Sequence, residues 1–157
     1  MKFQFHPLSD SLFEQYYNMS EEKLKALGIV QCVADADLGY PCRVTLEDAK
    51  KGETLFLLNH QHLDVSNPYR SAHAIFVRDN ASSAYLPPNT VPEIIKNRPL
   101  LSVRAFDYES MMMLAEVASG DKVGDLVSAF LNDNLCKFVH VHSTQRGCFL
   151  AAATRSD

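Results

Sequence analysis

Apolar residues along this chain keep two rhythms. In four places they step by three and four or sit behind helix-start signals, as one face of a helix requires. Leu12, Phe13, Tyr16 and Tyr17 form such a stripe on the capping-box spacing Ser11–Glu14. The string SEEKLKALG predicts a second short helix, with Ser20 as cap, acidic residues in the first turn and Gly28 as stop. TLEDAKKGE predicts a brief helical turn from Thr45, ended by Gly52. The clearest pattern is DKVGDLVSAFLNDN, where Val123, Leu126, Val127, Phe130 and Leu131 line one face.

Elsewhere the rhythm is that of strands. TLFLLNH (54–60), HAIFVRD (73–79) and LLSVRAFD (100–107) are rich in β-branched and aromatic residues and bounded by the turn formers SNPYR, LPPN and NRP. MMMLAEV (111–117) reads as a strand, and 85–99 as a Pro-bearing surface connection. KFVHVH and GCFLAAAT, joined by STQR, form a C-terminal β-hairpin. The expected architecture is α+β over a single domain, 1–157: N-terminal helices, a mainly antiparallel or mixed sheet, one late amphipathic helix and the closing hairpin. No GxGxxG or GxxxxGK[ST] loop is present, so dinucleotide and P-loop readings fail at the motif level.

Composition narrows the function classes. Fifteen basic against nineteen acidic residues give a net charge of −4, the wrong sign for general nucleic-acid binding. No apolar run approaches the roughly 20 residues of a membrane helix, and MKFQFHPLSD is not a secretory signal, so a cytoplasmic protein without nucleic-acid or membrane partners is expected. The four cysteines, Cys32, Cys42, Cys136 and Cys148, form no CxxC and read as reduced thiols.

Candidate chemistry gathers in VHVHSTQRGC. Strand alternation puts His140 and His142 on one face. With a loop over 143–147, His142 faces Cys148 and His140 faces Leu150, so an imidazole would stand beside a thiol. On that reading the catalytic candidates are His142 as acid/base and Cys148 as nucleophile, with His140 beside them. A neutral histidine facing an inert thiol is the plainer reading of the pair. Arg43, Arg70, Arg78, Arg104 and Arg146 are the second signal. Four of them sit in or beside apolar, strand-like sequence, where a guanidinium must find an anion. Pairing with Asp64, Asp79, Asp107, Glu53 or Glu116 would satisfy most; convergence of two or three, with Tyr69, would make a small-anion pocket. Two HxH pairs, His60/His62 and His140/His142, with His73 and Cys148, offer a metal alternative, although no ligand spacing rule ties them and no metal ligand is assigned.

The strings GYPCRVTLEDAKKGE, SNPYRSAHAIFVR, PLLSVRAFD and FVHVHSTQRGC, in this order over nearly the whole chain, resemble the bacterial family catalogued as domain of unknown function 1203. Pro41-Cys42-Arg43, Pro68-Tyr69-Arg70, Ile75 to Arg78, Arg104 and His140 to Cys148 carry the resemblance. It implies no activity, and the cofactor is unknown. The leading expectation is an uncharacterised protein that binds or acts on a small anionic metabolite through the Arg/His/Cys pocket. The alternatives are a metal-dependent protein using the HxH pairs, and a non-enzymatic module that homo-oligomerises through a sheet edge or the Met-rich segment 111–117.

Overall fold

A computed structural model describes residues 2–157 and shows an α+β protein built on two antiparallel sheets. The strands are β1 (Phe3–His6), β2 (Val30–Val33), β3 (Thr54–Leu63), β4 (Ser71–Arg78), β5 (Leu101–Phe106), β6 (Met112–Ala118), β7 (Phe138–Ser143) and β8 (Phe149–Arg155). The larger sheet runs β1-β8-β7-β5-β6 and the smaller β2-β3-β4. The helices are α1 (Glu21–Ala26), α2 (Glu93–Lys96) and α3 (Val123–Asn132).

Each sheet has its own core. Helix α3 lays Val123, Val127, Phe130 and Leu131 on one face of the larger sheet, against Leu101, Val103, Val139, Val141, Ala151 and Ala153. At about 25 cal/mol per Å² of apolar surface, a fully buried residue of this size contributes about 1.5–3 kcal/mol, so this face anchors the larger sheet. Alternation then fixes the opposite face of the same strands, which carries Ser102, Arg104, His140 and His142. The smaller sheet packs Phe56, Leu58, Ile75 and Val77 against Phe13, Leu24 and Ile29. Gly120, just before α3, is packed so closely on α2 that an added Cβ would lie 2.1 Å from the Ile95 carbonyl oxygen.

Helix α1 forms where the sequence places it, with the Ser20 hydroxyl accepting from the Lys23 amide. Other local expectations change. The stripe from Leu12 to Tyr17 is two 3-10 turns, not an α-helix: Phe13 is buried, Tyr16 and Tyr17 are half-buried against the same core, and Leu12 stays exposed. The segment from Thr45 is a looped turn. Leu46 takes φ of 58°, and the amides of Cys42 and Ala49 bond the carbonyls of Glu47 and Tyr40, which sends Val44, Leu46 and Ala49 into three separate cores. The connection 85–99 contains α2, whose Ile94 and Ile95 are fully buried. MMMLAEV is a strand, the edge strand β6, with Leu114 and Val117 exposed.

Candidate functional site

The two sheets meet over four imidazoles. His62, at the end of β3, and His73, in β4, come from the smaller sheet; His140 and His142, in β7, come from the larger. The pairing of β3 with β4 is regular up to His60–His73, then shifts and resumes at Leu63–Ser71, and His62 lies within this irregularity. The His62 ring lies 4.8 Å from His73, 5.0 Å from His142 and 5.5 Å from His140, centroid to centroid. The Phe149 ring lies flat against His62, at 4.8 Å and 3°. One ring nitrogen from each of His62, His73 and His142 lies within 4.8 Å of the other two.

The hydrogen bonding of these rings is incomplete. His142 is 1% exposed, and its Nδ1 lies 2.9 Å from the Gly147 carbonyl oxygen. Since a carbonyl only accepts, Nδ1 carries the proton and donates, which leaves Nε2 with a free lone pair. That Nε2 is buried and has no partner among the described residues. Gly147 adopts φ of +74°, a conformation that glycine takes without steric cost and that turns its carbonyl into the hairpin. His62 Nε2 lies 2.7 Å from His73 Nδ1, while His62 Nδ1 and His140 Nδ1 are buried without partners among the described residues.

Burial keeps the cluster neutral. Desolvation lowers the pKa of His142 to about 2, with Arg104 and the neighbouring rings adding to the effect against the Gly147 bond, which raises it. Desolvation, and then the proximity of His62 and Arg104, lower His140 to about 3. Desolvation, His73, His60 and Arg104 lower His62 to about 4. His73 is lowered by desolvation and by Arg104 and Arg43. The group is therefore a set of neutral imidazoles whose charged neighbours are cations. Neutral imidazole is the form that ligates zinc, copper, nickel and iron.

The expected His142–Cys148 pair does not form. A shift in the β7–β8 register after Val141 puts Phe149, not Cys148, opposite His142, and Ala152 opposite His140. The extra residue is a β-bulge at Leu150, which seats the Phe149 ring on His62 and moves the thiol away. Cys148 lies instead in a cleft of about 560 Å³ with Arg43, Arg146, Tyr40, Gln145 and Arg98, a residue the sequence reading did not single out.

The five arginines do not converge. Arg70 pairs with Asp64 at the surface, and Arg78 with Glu53. Arg43 is buried, with Nε donating to the Phe149 carbonyl and Nη1 to that of Pro41. Arg146 lines the cleft near it, where Arg98 is held by Asp48. Arg104 lies on the histidine face, directly opposite His140 in the β5–β7 pairing, and donates from Nε to Ser102 Oγ. Tyr69 packs edge-on against Phe106, 6.3 Å between centroids. Each HxH pair gives one residue to the close trio; His60 turns to Phe13 instead. His62 and His73 are thus the site residues that the lead sequence reading left aside.

The family described as protein of unknown function (DUF1203) matches over residues 39–155, which take in the arginine, HxH and hairpin motifs together. No curated protein and no solved structure matches the chain.

Proposed function

We propose that this chain, which belongs to the DUF1203 family, is a metal-dependent protein that holds a divalent first-row ion on His62, His73 and His142. The observation that carries this reading is His142. It is a buried imidazole whose Nδ1 is fixed by a backbone carbonyl while its Nε2 is left bare beside two further imidazole nitrogens. A carbonyl that accepts from the far ring nitrogen, and so fixes tautomer and ring angle, is the usual companion of a metal-ligating histidine. A purely structural cluster would leave three buried ring nitrogens unsatisfied, at about 1–3 kcal/mol each. An ion would turn the share of that cost at His142 Nε2 into coordination. Three protein imidazoles leave one position of a tetrahedral ion open, the arrangement of catalytic zinc sites, where the metal polarises a bound water or ligand.

The test is elemental analysis of tag-free protein purified without chelator, with thermal melts before and after adding Zn²⁺. Near-stoichiometric metal and a raised melting temperature are expected. Less than about a tenth of an equivalent, with no gain in melting temperature on adding Zn²⁺, removes the reading.

A second reading, of a small-anion site, keeps one specific support. Arg43 and Arg146 line a single cleft and make no ion pair among the described residues. Protection of Cys148 from alkylation by millimolar phosphate would favour it; unchanged alkylation would count against it.

A further inference from the structure

We propose that the ligand at the open position of the metal centre is a small oxyanion, a carboxylate or a phosphate monoester, gripped on its far side by the guanidinium of Arg104. The inference rests on the metal reading above and adds the chemical class of what that centre binds.

Charge is the first argument. Three neutral imidazoles leave the full charge of a divalent ion uncompensated, and no Asp or Glu belongs to the group of close donors among the described residues. Thiolate is also excluded, because the bulge has moved Cys148 into the cleft. The nearest charged side chain on the same sheet face is another cation, Arg104. The positive field of such a centre attracts an anion to the open position in place of water.

Geometry is the second. In the β5–β7 pairing Arg104 stands opposite His140, and Ser102 stands opposite His142. Residues so opposed have Cβ atoms about 4.5–5.5 Å apart, well within the reach of an arginine. The Ser102 hydroxyl takes the Arg104 Nε at 3.0 Å, which holds the planar group. Its two terminal nitrogens make no ion pair among the described residues, whereas Arg70, Arg78 and Arg98 each have a carboxylate. A fork pinned at Nε and open at both tips matches two oxygens of one carboxylate or phosphate. Partial burial, which lowers the Arg104 pKa, further favours an ionic partner there.

Cobalt(II) is the probe, because its visible absorption changes with what coordinates it. The protein is loaded with Co²⁺ and titrated separately with acetate, inorganic phosphate and acetamide, the neutral counterpart of acetate. Saturable spectral change with acetate or phosphate, and none with acetamide, is expected; the tighter of the two anions identifies carboxylate or phosphate as the class. Arg104→Gln should weaken anion binding by about tenfold while Co²⁺ affinity stays within about threefold. If Arg104→Gln fails to fold by circular dichroism, Arg104→Lys carries the test, with an expected loss of a few fold because charge is kept and the fork removed. Cobalt uptake without any response to either anion overturns the inference and leaves the metal reading standing, as does a folded Arg104→Gln, or failing that Arg104→Lys, that binds anion like the parent. Absence of cobalt binding by the parent overturns both.

Discussion

His62 Nε2 lies 2.7 Å from His73 Nδ1, and the two rings stack at 22° across the end of β3 and β4. Two nitrogens ligating one tetrahedral ion with bonds of 2.0–2.1 Å stand about 3.3 Å apart, so a small opening of this pair admits a metal. His73 is the more open partner. His73→Ala should therefore cost the metal-free fold little but abolish the rise in melting temperature on adding Zn²⁺. At a hundredfold excess over Kd that rise corresponds to about 2.7 kcal/mol.

The metal-free protein should be acid-labile in a defined window. The folded pKa values of His62, His140 and His142 all lie below the ordinary 6.5. The unfolded chain therefore binds protons that the folded chain refuses once pH drops below about 6.5. Their contribution is fully present above that value and is lost as pH falls toward the folded values. Melting temperature measured with chelator from pH 8 to pH 4 should be flat at first and then decline. His142→Gln should flatten the decline.

Cys148→Ser should leave metal binding unchanged, since the bulge keeps the thiol out of the cluster. Titration calorimetry with Zn²⁺ reads this directly. A large loss of affinity would mean that the thiol reaches the ion. In the parent protein Cys148, half-exposed, should be alkylated well before the buried Cys42 and Cys136.

Gly120→Ala should be strongly destabilising although the site is small. Its Cβ would meet the Ile95 carbonyl at 2.1 Å and that of Lys96 at 2.6 Å, both backbone atoms that cannot swing aside. A cost of about 1–3 kcal/mol or more is expected from overpacking, measured by urea denaturation.

The elements legible in the sequence are those whose pattern is local. The face of α3 and the strands around 54–60, 73–79, 100–107 and 138–155 announce themselves by periodicity and bounding turns. Strand β1 is four residues ahead of a proline and β2 is largely uncovered, so neither carries a clear alternating signal. Helix α2 is a single turn within a Pro-rich stretch, and its burial depends on α3 and the turn before it. For the site, alternation correctly puts His140 and His142 on one face. It could not show that His62 and His73 arrive from the other sheet, because that meeting is set by packing between segments far apart in sequence. One inserted residue at Leu150 was enough to replace Cys148 by Phe149 opposite His142.

That same bulge has a consequence for redox chemistry. Had the hairpin closed without it, a partly exposed thiol would stand against the imidazoles, where its oxidation would alter the donor set and where a soft sulfur would favour copper(I) over harder ions. With the bulge, Phe149 shields that flank of His62 and the sulfur faces the arginine cleft. Peroxide can then convert Cys148 to a sulfenic acid while the nitrogen donors, and the metal preference they set, stay as they were.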